Sequence, residues 1–290
     1  MIQFKNILCP VDFFPASERA LEYAIALARN YNAKLHILHV VAPVLPTSYE
    51  FSVNTAELVE TFKQTAEKRV SEIAGGARDQ GIETETTVHV GDIDVEIAGA
   101  IDSSNADIVV MGTHGRRGFE RWFLGSVTER ILRHSPKPVL VLSETDRPIA
   151  VPPDVKSVLV TTDFSEGTEA AVGLGVALAE EAPARLTMLH VVEQPPEYQG
   201  SVEGVAKILE EHLDTMIPES VRQWCTVQSE VRIGTPYQRI LAMAHEENVD
   251  LIVMNIHGKG VFERAVLGST AERVLRGAEC PVLAVPAAKR

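Results

Sequence analysis

Gly112, Gly115, Gly125 and Ser126 stand at the spacing G-x-x-G-x9-G-S. The residues before them, Ile108 to Met111, are continuously apolar, as in a parallel strand buried on both faces. Ser126 and Glu129 have the S-x-x-E spacing of a capping box, which predicts a helix starting at Ser126 with Val127, Ile131 and Leu132 on its apolar face. A strand, a glycine loop and a helix N-terminus make an anion cradle. Glycine lets main-chain N–H groups approach a phosphate, and the first helical turn offers unpaired donors at the positive end of a dipole. Arg116, Arg117 and Arg121 add positive charge to the loop. Two of these residues have a plainer reading as well: Ser126 as a helix cap and Gly112 as a turn residue. His114 alone reads as structural.

The pattern occurs twice. At a constant offset of 143, Gly115, Gly125, Ser126 and Glu129 return as Gly258, Gly268, Ser269 and Glu272, His114 returns as His257, and Phe119-Glu120-Arg121 returns as Phe262-Glu263-Arg264. Nearer the start of each copy the offset is 151: Asp12-Phe13 matches Asp163-Phe164, and Leu38-His39-Val40-Val41 matches Leu189-His190-Val191-Val192. The second copy is therefore 8 residues shorter between its second and third strands. Two copies of this length are a duplicated domain rather than a solenoid.

Strands and helices alternate along each copy. Phe4 to Val11 reads as a strand, Ala16 to Tyr31 as a helix with Ala20, Ala24, Leu27 and Ala28 on one face, and Lys34 to Val41 as a second strand. A Pro-containing stretch, 42–54, precedes a long helix over Thr55 to Gln80. A strand over Thr84 to Val90, a helix over Val95 to Ser104, the Ile108 strand, the Ser126 helix and a strand over Pro138 to Leu142 complete the copy. Val155 to Thr162 repeats the first strand, and 143–154 reads as a linker, which divides the chain into domains at 1–145 and 155–290. Such alternation predicts an α/β fold with a parallel sheet covered on both faces. Ligands of doubly wound sheets sit outside the carboxyl ends of the strands, at the switch point. Asp12, Val40 and Gly112 should meet there. A nucleotide base could then lie at the first two strands with its phosphates on the Gly115–Ser126 loop, Asp12 accepting from an amine or a ribose hydroxyl.

The net charge of −13 argues against a nonspecific nucleic-acid or anionic-membrane partner. Cys9, Cys225 and Cys280 form no C-x-x-C pair, and the first and last sit in strand-like runs as core residues would. The chain starts in a strand pattern without a signal-peptide core, and no apolar run reaches the ~20 residues that span a bilayer, so a cytoplasmic protein is expected. Walker-type G-x-x-x-x-G-K-[ST], dinucleotide G-x-G-x-x-G and G-x-S-x-G elbow patterns are missing, as is any metal-ligand spacing.

The glycine pattern resembles the ATP-binding signature of the universal stress protein family. I-L-C-P-V-D-F at the first strand, L-H-V-V at the second and K-P-V-L-V-L at the end also resemble it, and the likeness covers the whole chain as two copies. The resemblance implies, for each copy, a doubly wound five-stranded parallel sheet in the order 3-2-1-4-5 with four helices. It implies that Asp12 and the main chain of Val40 hold adenine with Pro10 and Val11 nearby, that Gly112 approaches the ribose, and that His114, Gly115, Gly125, Ser126 and Val127 serve the phosphates. In the second copy the matching residues are Asp163, Val191, His257, Gly258, Gly268, Ser269 and Thr270. ATP is the implied cofactor, with Mg²⁺ arriving on the nucleotide. The copies are expected to join as an internal pseudo-dimer through Val139–Val141 and Val282–Ala284, and further self-association or a protein partner is compatible with that.

Asn255 departs from the pattern, standing where Gly112 stands in the first copy. Asn tolerates positive φ next best after glycine, so a turn could survive, but its side chain would crowd a ribose. Occupancy of the second copy is therefore open. Three functions fit: a nucleotide-dependent stress regulator, a slow ATPase or phosphotransferase, and a nucleotide-independent interaction module. No general base is evident near the phosphate loop, which argues against rapid hydrolysis.

Overall fold

The computed structural model describes residues 4–43, 55–113, 124–143, 154–165, 168–179, 184–193, 202–256 and 267–286. The first copy contributes β1 (Asn6–Pro10), α1 (Pro15–Tyr31), β2 (Lys34–Val41), α2 (Thr55–Asp79), β3 (Thr84–Val90), α3 (Ile93–Ser103), β4 (Ile108–Gly112), α4 (Ser126–His134) and β5 (Val139–Leu142). The second contributes β6 (Ser157–Thr162), α5 (Thr168–Ala179), β7 (Arg185–Val192), α6 (Val202–Thr215), a 3₁₀ turn (Glu219–Gln223), β8 (Thr226–Ile233), α7 (Pro236–Glu246), β9 (Leu251–Asn255), α8 (Ser269–Gly277) and β10 (Val282–Val285).

Among the described residues these strands form one ten-stranded sheet in the order β3-β2-β1-β4-β5-β10-β9-β6-β7-β8. Each half is parallel with the expected order 3-2-1-4-5. At the centre β5 and β10 pair antiparallel, with Val141, Leu140 and Val139 opposite Val282, Leu283 and Ala284. The strands of the two halves therefore run in opposite directions, and their carboxyl ends lie at opposite edges of the sheet. Alternation along each strand divides the core into two layers. Ile7, Ile108, Val110, Leu140 and Leu283 face one layer, while Leu8, Val109, Val139, Val141 and Val282 face the other, and both layers run across the seam. The seam is thus interior rather than a contact of two surfaces.

Ala20, Ala24, Leu27 and Ala28 are buried on α1 as the periodicity requires. α1 starts with Pro15 and ends at Asn32, which takes the left-handed conformation at φ 51° and donates its N–H to the Ala28 carbonyl. The sheet-entering strand is shorter than the apolar run: Phe4 precedes β1 and packs edge-on against Tyr31, ring centroids 5.0 Å apart. The third helix starts two residues earlier than its apolar pattern, because Asp92 caps it by accepting the Asp94 N–H at 3.2 Å. All three cysteines are buried, and burial pushes the Cys9 thiol well above the usual range. No helix among the described residues is long and apolar enough to cross a membrane.

Candidate functional site

At the carboxyl edge of the first half, β1 makes its last bond to β2 when Val11 N–H donates to the Leu38 carbonyl at 2.8 Å. The chain then turns. Asp12 N–H donates to Ser17 Oγ at 3.2 Å, and Phe14 N–H donates to Asp12 Oδ1 at 3.1 Å. The other Asp12 oxygen has no partner among the described residues. Even-numbered residues of β2 face β1, as Lys34 N–H donating to Lys5 shows, and odd-numbered ones face β3, as Gly91 N–H donating to Val41 shows. Val40 therefore presents its N–H and C=O toward the space just past the end of β1.

Gly112 ends β4, the strand beside β1. It is not in the left-handed region, so the turn reading of this glycine is corrected. A Cβ there would lie 2.7 Å from the Ala16 carbonyl carbon and 2.8 Å from its oxygen, so what excludes a side chain is the first turn of α1 resting on the strand. The following loop is closed at its base: Thr113 N–H donates to Leu142 O at 2.8 Å, and Gly125 N–H donates to Thr113 O at 2.6 Å. Thr128 Oγ1 also donates to Gly112 O at 2.8 Å.

The capping box does not form. Gly125 is the N-cap, Ser126 is the first helical residue, and no side chain caps α4. A box needs its hydroxyl at the N-cap; one position later it cannot reach back over the first turn. Glu129 instead pairs with Arg133 at 2.5 Å. The N–H groups of Ser126, Val127 and Thr128 have no partner among the described residues, as the first turn of a helix leaves them. The second copy repeats this, with Gly268 as N-cap and Glu272 paired to Arg276.

One cavity of about 750 Å³ gathers Pro10, Val11, Asp12, Val40, Gly112, Gly125, Ser126 and Val127, all expected from sequence. It also takes in residues that sequence reasoning missed. Leu38, Ile93, Ile97 and Met111 give it an apolar wall, and Phe13, His39, Phe62 and Arg69 close another side. The Asp12-Phe13 pair and its copy at Asp163-Phe164 were a signal for Phe13; no spacing connects α2 to the site. His114, Gly115, Arg116, Arg117 and Arg121 lie outside the described residues, as do His257 and Gly258 and both Phe-Glu-Arg runs. His39 uses Nδ1 to donate to Val11 O at 2.7 Å, and His190 does the same to Thr162 O at 2.8 Å.

The second copy keeps the scaffold and changes the fastenings. Ser165 N–H donates to Asp163 Oδ1 at 3.0 Å, Val191 lies on β7 opposite Arg232, and Gly268, Ser269 and Thr270 open α8. Asn255 is a strand residue without positive φ, so its tolerance of that conformation is not what allows it. Its Nδ2 donates to Ser165 Oγ at 3.1 Å, directing the side chain to the β6–α5 turn rather than leaving it loose over a ribose subsite. Among the described residues no group of three or more His, Cys, Asp or Glu could hold a metal.

The universal stress protein family model matches residues 3–143 and again 154–286. The chain belongs to the universal stress protein family. A Staphylococcus aureus (strain USA300) universal stress protein is 35% identical over 160 residues, 53% of this chain and 93% of that one. The crystal structure of a universal stress protein from Archaeoglobus fulgidus superposes with a TM-score of 0.72 at 24% identity, covering 98% of this chain and 97% of that one. A Pseudomonas aeruginosa structure gives 0.66 at 16% identity, over 98% and 94%. At these identities the two structures speak for the tandem fold alone.

Proposed function

We propose that the first copy binds an adenine nucleotide, ATP being the expected ligand, and that occupancy makes this cytoplasmic stress-family protein a nucleotide-dependent regulator. One juxtaposition carries the reading: main-chain groups of Val40 and an Asp12 oxygen, neither with a partner among the described residues, and the first turn of α4 border the same cavity. The apolar wall of Leu38, Ile97 and Met111 suits a flat base. Val40 would meet the base edge with one donor and one acceptor, and Asp12 would accept from an amine or a ribose hydroxyl. The ribose would pass Gly112, and the N–H groups of Ser126, Val127 and Thr128 would meet phosphate oxygens. His114, Gly115 and Arg116 are assigned to the phosphates from their positions in the loop. Mg²⁺ would arrive on the phosphates. The division at 1–145 and 155–290 belongs to the same reading.

Calorimetric titration with ATP and Mg²⁺ tests it. Ser126→Pro removes one donor at a position where proline suits a helix, and the extended Gly125 before it, at φ −61° and ψ 144°, is compatible with a following proline. A bond to a charged phosphate contributes about 1.5–3 kcal/mol, so at least about tenfold weaker binding is expected. Unchanged affinity would remove α4 from the site. Turnover above buffer hydrolysis that vanishes in this variant would move the protein to the ATPase class.

A further inference from the structure

The turn that carries Asp12 is held by more than its own hydrogen bonds. Phe13, next in the chain, sits at φ 65°, a conformation that a bulky side chain rarely adopts. Such strain persists only where the surroundings enforce it. The ring of Phe13 lies between two groups: His39 stacks on it at 4.5 Å and 22°, and the Arg69 guanidinium covers it at 4.3 Å from the centroid. Each outer layer is itself anchored. His39 bonds the Val11 carbonyl, directly before Asp12, and Arg69 pairs with Glu18 of α1 at 3.1 Å. Asp12 is thus fixed from the residue before it, the residue after it and Ser17 below it, with one carboxylate oxygen left over at the cavity. The second copy repeats the arrangement: Phe164 sits at φ 58° with His190 at 4.4 Å and His212 at 5.1 Å. A strained aromatic clamped in both halves is a device of the fold rather than an accident of one turn.

We propose that the Arg69–Phe13–His39 stack sets base selectivity, by fixing the Asp12 carboxylate as an acceptor at the cavity so that a base presenting an amine is favoured over one presenting a carbonyl. The proposal rests on the nucleotide-binding reading above and assigns Phe13 and Arg69 as positioning residues acting through Asp12. Adenine carries an exocyclic amine at the ring position where guanine carries a carbonyl oxygen, so a carboxylate held opposite that position attracts the first and repels the second, whereas one free to swing can pair with guanine's N1–H and 2-amine instead. A carboxylate free to swing away would distinguish them poorly.

The test is calorimetric titration of the full chain with ATP and with GTP, each with Mg²⁺, for the wild type, Asp12→Asn, Phe13→Leu, Arg69→Ala and Arg69→Lys. The wild type should prefer ATP by at least about tenfold. Asp12→Asn and Phe13→Leu should bring the ratio close to one. Arg69→Ala should lower it about threefold and Arg69→Lys should restore it, since lysine keeps the cation over the ring. Arg69 is half exposed, so its variants fold even if Phe13→Leu does not. A ratio unmoved by Arg69→Ala and by folded Phe13→Leu overturns the proposal. So does a wild type that binds ATP and GTP equally, which leaves the nucleotide reading standing; a wild type that binds neither removes both.

Discussion

In the first copy, α1 rests so closely on Gly112 that no side chain fits between them, and Thr128 ties the same residue to α4. In the second, Asn255 stands at that place and reaches Ser165, while Thr162 Oγ1 donates to Thr168 Oγ1 at 3.0 Å and accepts the Phe164 N–H at 2.9 Å. The matching positions in the first copy are Val11, Phe14 and Ser17, and Ala16 is matched by Gly167. Both turns are hydrogen-bonded, the first through Asp12 and Ser17 and packed closely on Gly112, the second with bonds from Thr162 and Asn255 added over the same strands. The difference teaches that the turn's geometry is maintained while the chemistry lining it drifts. A missing glycine in the motif is therefore not, by itself, a broken fold.

Where the copies are alike, they should respond alike. Leu140→Ala and Leu283→Ala remove facing residues of the seam, each nearly inaccessible, and each should cost about 2–5 kcal/mol in denaturant unfolding. Unequal costs would mean that the seam belongs to one half. Where the copies differ, exchange should be costly in one direction. Gly112→Asn places a side chain against the Ala16 backbone and should destabilise by about 1–3 kcal/mol. Asn255→Gly forfeits the side-chain bond to Ser165, about 1 kcal/mol, and equal losses would show that α1 yields easily. Thr128→Ala, which installs the residue found at Ala271, leaves the Gly112 carbonyl one bond short and should cost about 1 kcal/mol by the same measurement.

The smallest effect is acid-dependent. Burial holds His36 below the ordinary histidine value of about 6.5, with Glu85 nearby opposing and Lys34 adding to the shift. Its counterpart is Thr187. With the folded value lowered, the unfolded chain takes up the proton first, so stability present above pH ~6.5 falls as pH drops toward the folded value. His36→Thr should flatten that part of the stability profile between about pH 7 and 5 and leave it unchanged above. An unaltered slope would place the dependence elsewhere.

The strands were legible because a sheet covered on both faces demands continuous apolar runs, and Ile108–Met111 and Val139–Leu142 have them. The seam was legible from the family resemblance and from the repetition of that last strand. Helix starts were less so. Glu129 at the right spacing suggested a box, yet the N-cap proved to be Gly125, and sequence cannot tell N-cap from N1 when both candidates are small. Asp92 capped α3 directly before Ile93, two residues ahead of the start read from Val95. The reason for Gly112 was hidden because the steric demand comes from Ala16, a residue far away in sequence. Arg69 and Phe62 were hidden for the same reason: α2 reaches the cavity only through tertiary packing.

The central claim, that the first copy holds the nucleotide, is tested most directly by calorimetric stoichiometry with ATP and Mg²⁺ on the wild type, Ser126→Pro and Ser269→Pro. These variants remove equivalent donors from α4 and α8, whose preceding glycines have matching geometry. The account predicts that Ser126→Pro weakens the first site at least about tenfold, while Ser269→Pro leaves that site intact. Absence of binding in the wild type, or binding lost in Ser269→Pro and kept in Ser126→Pro, would contradict it.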